Sequence, residues 1–385
     1  MNRFSTRDII VTGPGTPGFL LMSIQERVLS FIHCPQPEQF SSLSLDVFRL
    51  QFVSVPAYKK HCELLGVSPN TVSSVDEIPM VSTVAFKYAD LHAPGATRNP
   101  GALTFLTSGT TRGRERRGRH VVARPDIYRA SALAHLHKMM FPDDIPMRML
   151  AIHPTADRMP ESSLTTMISW CIEEFGNGSA FCAADRTGLD VPAAIAFLRD
   201  AAADRAPVSI LGTTAAYAAI FERLDTTGET IALPLGSRMM DTGGAKGQVI
   251  PLTSSEVLEQ AGARLGIDPD YVINEYGMTE LCSQLYDSTR LNLGTLAPAA
   301  ERMKIAPPWM RPVAIDPATM RPLPDGTRGL LGFIDLANVS SISAILTEDF
   351  GIVDGNRVRA LGRAAAGGAR GCALSIAQFE QAARI

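Results

Sequence analysis

PVSILG (207–212), followed at once by TTAAYAAIFERL (213–224), decides how this chain is read. A short apolar run that stops in Gly and Thr and passes into an amphipathic segment is the pattern of a strand, a tight loop and a helix laid back on a sheet. The alternation recurs on both sides: ALTFL (102–106) before TSGTTRG (107–113), MRMLAI (147–152) before HPT (153–155), and RMMDTGGAKG (238–247) before a helix. That helix is expected over about Ser254 to Leu265, with a Thr253/Glu256 capping box in front and Gly266 behind. The chain therefore reads as α/β. After residue 310 the runs RPVAID (311–316), GLLGFIDL (329–336) and SISAILT (341–347) are joined by Pro, Gly and Asp turns, which predicts an antiparallel, hairpin-rich subdomain. Residues 1–100 hold short helical patterns, such as Met22 to Ile32 and Leu45 to Gln51.

The 385 residues are 45% hydrophobic and 19% charged, a globular composition that excludes disorder and a disulfide-rich miniature scaffold. With 36 basic and 39 acidic residues the formal charge is −3, so no nucleic-acid partner is expected. Six cysteines without a CxxC pair point away from a zinc knuckle and toward a reducing compartment. The N-terminus has no apolar signal core, and no run of 18 apolar residues occurs, so the expectation is a cytoplasmic protein without a membrane span. Gly13 to Gly18 matches GxGxxG, but Pro14 and Pro17 remove two of the amide donors a pyrophosphate would need, which favours a Pro/Gly turn.

Thr107-Ser108-Gly109-Thr110-Thr111-Arg112-Gly113 has more chemical content. Small residues leave backbone amides and hydroxyls free to face phosphate, and Arg112, Arg114, Arg116, Arg117 and Arg119 crowd the same loop. The alternative is an exposed hairpin carrying a solvated arginine cluster. Further along stand NEYGMTE (274–280), then TED (347–349) followed by LGR (361–363). In that order these motifs resemble the core of the adenylate-forming (acyl-AMP synthetase) superfamily. The blocks EYGMTELCSQLYD (275–287), DTGGAKG (241–247), APPWMRPVAIDP (306–317), GLLGFIDLANVSS (329–341) and RGC (370–372) are similar to the LuxE-type acyl-protein synthetases, with phenylacetate–CoA ligases more distant.

The resemblance implies a superfamily-type fold of stacked sheets and helices. Residues 1–100 would be its mainly helical N-terminal part, 101–362 the adenylating core with a β-rich subdomain from about 300, and 363–385 a stub in place of a full C-terminal domain. It also implies roles, with ATP and Mg²⁺ as cofactors. Thr107, Ser108, Gly109, Thr110 and Thr111 would hold the β- and γ-phosphates, and Gly243 and Gly244 would admit adenine and acyl group. Tyr276 would stack on adenine within the segment Glu275, Gly277 and Met278, Thr279 would bond the α-phosphate and Glu280 would help hold Mg²⁺. Asp349 would accept the ribose hydroxyls, with Arg363 beside it.

The implied reaction is ATP-dependent activation of a carboxylic acid, by expectation a fatty one, to acyl-AMP with loss of pyrophosphate, then transfer to a protein thiol. Lys246 is the candidate cation for the transferring group, because the chain ends 22 residues after Arg363 and the superfamily's lysine-bearing domain is expected to be missing. Cys372, beside Arg370, is the candidate acyl carrier, as in the matching tail of LuxE-like enzymes, before hand-over to an acceptor protein, a reductase or a carrier. His153 and Tyr217, at strand and helix ends where open α/β sheets bind ligands, are candidates for the acyl pocket. Coenzyme A, a carrier-protein phosphopantetheine or an amine are the alternative acceptors. A non-catalytic nucleotide-binding or scaffold protein is the reading from another class.

Overall fold

The computed structural model describes residues 22–107, 117–243, 252–287 and 301–363. Among them twelve strands form one continuous mixed sheet. Three helices lead in: α1 (Ile24–His33), α2 (Phe40–Ser54) and α3 (Pro56–Leu64). A reciprocal capping box of Ser23 and Glu26 starts α1, while Pro56 stands at the first position of α3, where its missing N–H costs no hydrogen bond. The two-residue β1 (Val81–Ser82) follows and pairs in parallel with a late strand. Next come β2 (Leu103–Leu106) and β3 (Arg119–Val122), which pair only with each other, antiparallel. TSGTTRG therefore connects two strands of a small separate ribbon, not a strand of the main sheet to a helix.

The parallel half is built as the alternation predicts. In chain order it contains α4 (Pro125–Met140), β4 (Met147–Ala151), α5 (Ser163–Phe175), β5 (Gly176–Cys182), a small ribbon of β6 (Ala184–Asp185) and β7 (Gly188–Leu189), α6 (Val191–Ala203), β8 (Val208–Thr213), α7 (Thr214–Thr227), β9 (Arg238–Thr242), α8 (Ser254–Leu265) and β10 (Val272–Tyr276). Strands β5, β4, β8, β9 and β10 lie side by side in that order, all parallel. Strands covered on both faces need apolar residues throughout, and β8 is buried from Val208 to Gly212. Helix α8 has the expected bounds, its Thr253/Glu256 box is formed, and Gly266 ends it at φ 65° in the left-handed region that suits glycine.

Beyond β10 the sheet continues antiparallel through β11 (Leu285–Asp287), β12 (Lys304–Ile305), β16 (Arg357–Arg363), β15 (Ala344–Asp354), β14 (Arg328–Asp335) and β13 (Met310–Ile315). The hairpin-rich reading of the C-terminal part thus holds, but these strands extend the same sheet. Packing between β4 and β8 is close: a Cβ added to Gly212 would lie 2.2 Å from Ile152 Cγ1. Gly212→Ala should destabilise the protein by about 1–3 kcal/mol through overpacking. Part of that loss should return in Gly212→Ala/Ile152→Ala, as measured by urea unfolding.

Candidate active site

Register gathers the site. Thr213 pairs with Thr242, and Thr242 with Glu275, so the carboxyl ends of β8, β9 and β10 fall level along one edge, and His153 lies two residues beyond the end of β4. Open α/β sheets bind ligands at this edge. Gly243 follows β9, and a Cβ built on it meets none of the described residues within 4 Å.

Three of the candidate nucleotide residues converge. The Tyr276 hydroxyl donates to Asp349 Oδ2 at 2.8 Å, and its ring packs 5.9 Å from Phe333. Asp349 pairs in register with Arg363 across β15 and β16, and Arg363 Nε stands 3.8 Å from Asp349 Oδ1. Burial, with Asp349 beside it, raises the Tyr276 phenol well above its usual pKa, so Tyr276 stays a neutral donor. A ring, a carboxylate and a guanidinium thus share one corner at the end of β10.

Thr279 and Glu280 are aimed through their backbone. His120 Nδ1 lies 2.6 Å from the Thr279 carbonyl, and His120 Nε2 2.9 Å from Asn338 Oδ1. Asn338 Nδ2 donates to the Glu280 carbonyl at 2.8 Å. Burial lowers the His120 pKa, against the two hydrogen bonds that raise it. Below them Asp335 accepts from Cys282 N at 2.8 Å and from the Ser283 hydroxyl at 2.6 Å. Burial raises Asp335 to about 6 despite these donors. Sequence reasoning assigned no role to His120, Asn338 or Asp335. Asn338 and Asp335 lie inside the family-like block 329–341, which was their only signal.

Other candidates fall elsewhere. Thr107 closes the base of its loop: its N–H donates to the Gly118 carbonyl and its hydroxyl accepts from Gly118 N, both at 2.9 Å. Arg117 turns back onto the Thr107 and Leu106 carbonyls. Ser108, Gly109, Thr110, Thr111, Gly244, Lys246 and Cys372 lie outside the described residues. Glu275 does not face the open edge; its carboxylate accepts a short hydrogen bond from the Thr242 hydroxyl in a buried position. A Cβ on Gly277 would sit 2.2 Å from Glu275 Oε1, so a side chain there would have to displace that carboxylate. Tyr217 is a core residue among the described residues. It is fully buried, with its hydroxyl 2.8 Å from the Ile210 carbonyl and 3.0 Å from that of Met240, and it fastens α7 to β8 and β9. His153 does stand at the edge. Burial lowers it to about 4, so the ring is neutral, and its buried Nε2 has no hydrogen-bond partner among the described residues.

No group of three or more His, Cys, Asp or Glu side chains among the described residues could hold a metal. One carboxylate from Glu280 together with nucleotide phosphates is a donor set that Mg²⁺ accepts, so the residues fit that ion as a partner of ATP. No described helix is long and apolar enough to cross a membrane.

The fold matches solved structures of 2-hydroxyisobutyryl-CoA ligase. With 2-HIB-AMP and CoA bound, that enzyme aligns at TM-score 0.61 and 16% identity over 88% of this chain and 68% of that one. In its postadenylation state with R3-HIB-AMP the values are 0.60 and 14% over 86% and 71%. The chain thus has the fold of that CoA ligase. The family model of the LuxE acyl-protein synthetases matches residues 24–380, and the chain belongs to that family. It is 24% identical to the long-chain-fatty-acid–luciferin-component ligase of Aliivibrio fischeri over 90% of each chain. The Vibrio harveyi ligase of the same name matches at 31% over 117 residues, 29% of this chain and 28% of that one. The protein is thus an AMP-forming ligase that uses ATP to activate a carboxylic acid and transfers the acyl group.

Two outcomes test this geometry. Burial, only partly offset by Thr242 and Lys304, raises Glu275 from 4.5 to about 7. A carboxyl whose folded pKa is raised contributes stability that is full below pH 4.5 and lost as the pH climbs to 7. Glu275→Gln should therefore raise the Tm relative to the parent at pH 8 and leave the difference small near pH 5, as read by calorimetry at the two pH values. Asn338→Ala leaves the Glu280 carbonyl and His120 without their partner, at about 1–3 kcal/mol for each buried group left unbonded. Chemical denaturation should register this loss.

Proposed function

We propose that the chain activates a long-chain fatty acid as its acyl-AMP and then carries the acyl group on Cys372 for an acceptor protein. The observation that supports this best is the corner formed by Tyr276, Asp349 and Arg363 beside the anchored Thr279–Glu280 loop. Asp349 accepts from the ribose hydroxyls, Arg363 balances its charge, and the Tyr276 ring offers adenine a face. Thr279 donates to the α-phosphate.

In the first step a fatty carboxylate oxygen attacks the α-phosphorus, and the bond to the β-phosphate oxygen breaks, releasing pyrophosphate. Such transfers depend on placement and on neutralising charge that develops on oxygen. Mg²⁺ held by Glu280 and the phosphates would supply part of that neutralisation when bound, and Lys246 a further cation. The acyl chain leaves along the strand edge past the neutral His153. In the second step the Cys372 thiolate attacks the acyl carbon, and AMP departs with the bonding pair. Arg370, two residues before Cys372 in the sequence, would favour the thiolate.

Pyrophosphate exchange into ATP, run across fatty acids of increasing length, should depend on acid and peak with a long chain. Thr279→Ala and Glu280→Gln should lower it by about a hundredfold or more, in the range of lost transition-state donors. Cys372→Ser should keep exchange and lose the hydroxylamine-labile acyl adduct seen by intact mass. An adduct that survives this substitution overturns the carrier assignment, and exchange independent of any acid overturns the whole reading.

A further inference from the structure

Strands β13, β14 and β15 have two faces with different neighbours. Register pairs Arg311 with Ile334, Val313 with Gly332, Ile315 with Leu330, and Gly332 with Leu346. Successive strand residues alternate, so these side chains share one face. Phe333, which packs on Tyr276, belongs to the other. Over the first face lies a cavity of about 420 Å³, roofed by the end of α3 and by residues 75–80. That is within the size range of small-molecule sites.

Its walls are apolar: Val75, Ile78, Met80, Val313, Ile315 and Leu346. A Cβ on Gly332 would come within 2.6 Å of Met80 Sδ, so the missing side chain lets Met80 lie against the sheet. Met320 lines the cavity from a turn at φ 58°, a left-handed conformation that a non-glycine residue seldom holds without tertiary cause. Charge is confined to one end, where Arg311 Nη2 contacts Asp76 Oδ1 at 2.6 Å; Glu77 is engaged by Ser73 and Ser74. Along β13 the row on this face runs Arg311, Val313, Ile315: a cation, then two apolar side chains, spanning roughly 13 Å at the usual strand rise.

We propose that this cavity is a second ligand site, which takes a single-chain aliphatic carboxylic acid with its carboxylate on Arg311 and its tail along Val313 and Ile315. An amphiphile with one anionic end matches a cation at the end of an apolar row, and a planar guanidinium can hold a second carboxylate beside the first. The Arg311–Asp76 pair is 42% and 52% exposed and such pairs are worth about 0–1 kcal/mol, so Asp76 can swing into solvent and leave Arg311 to the incoming carboxylate. The site lies across the sheet from the nucleotide corner, but its floor strand β15 also carries Asp349. The proposal goes beyond the adenylation reading and does not depend on it.

The test is photolabelling of the full chain with dodecanoic acid carrying a terminal diazirine, in the absence of ATP, with labelled peptides mapped by mass spectrometry. Label is expected within residues 61–80 and 311–322. Arg311→Gln should weaken acid labelling about tenfold and leave labelling by the matching alcohol unchanged, while Val313→Phe, which fills the cavity, should abolish both. If Val313→Phe does not fold by circular dichroism, Ala318→Trp on the exposed turn at the mouth replaces it. Absence of label in these segments, label confined to the ends of β4, β8, β9 and β10, or labelling indifferent to every variant overturns the proposal. Because no turnover is read, this result stands apart from the exchange assay.

Discussion

Two backbone carbonyls hold the site in place. Those of Thr279 and Glu280 are bound by His120, 159 residues away, and by Asn338, 58 residues away, and these two side chains meet each other. The anchor reaches further. Gln51 from α2 donates to the Asn338 carbonyl at 3.0 Å and accepts from Ser343, while Ser131 from α4 contacts Ser283, which donates to Asp335. N-terminal helices, the small ribbon, the parallel half and the antiparallel half all meet in this buried polar cluster. A cluster of this kind rigidifies when every member is bonded and is costly when one is missing. Its satisfied state fixes where the Thr279 hydroxyl and the Glu280 carboxylate begin.

Under the open edge, charge is arranged for a different purpose. Asp241, Glu275 and Asp287 are all buried around Lys304, and Lys304 makes its ion pair with Asp287 at 3.4 Å. Asp241 is bound by Thr214 and Asn274, and burial still raises its pKa. Burial makes the Asp241 and Glu275 carboxyls resist ionisation. The adjoining edge therefore carries less negative charge than a count of acids suggests. The net charge of −3 taken from composition says nothing about this distribution.

Much of the scaffold was legible because its signals are local. Helix α8 has its cap, its amphipathic period and its terminating Gly266 in one short stretch, and β8 followed by α7 has the change of period in one run. The ordered motifs likewise led to the corner of Tyr276, Asp349 and Arg363. Non-local relations were not legible. The ribbon of β2 and β3 looks like any strand before a glycine loop until its partner is known. Glu275 stands in a motif that reads as nucleotide-facing, but strand alternation and the proximity of Thr242 turn its carboxylate inward. Tyr217 has the position of a pocket residue and the surroundings of a core residue.

The amino-acid sequence by itself determined the α/β alternation, the antiparallel C-terminal strands and the family, because periodicity, caps and motif order are properties of neighbours along the chain. Only the tertiary structure decided which side chains meet. Asn338 beneath the Thr279–Glu280 loop, the Tyr276–Asp349 hydrogen bond across 73 residues and the cavity behind β13 to β15 each depend on strand register and on the face a residue presents. A shift of one residue in pairing would exchange those faces while leaving composition and motif spacing as they are.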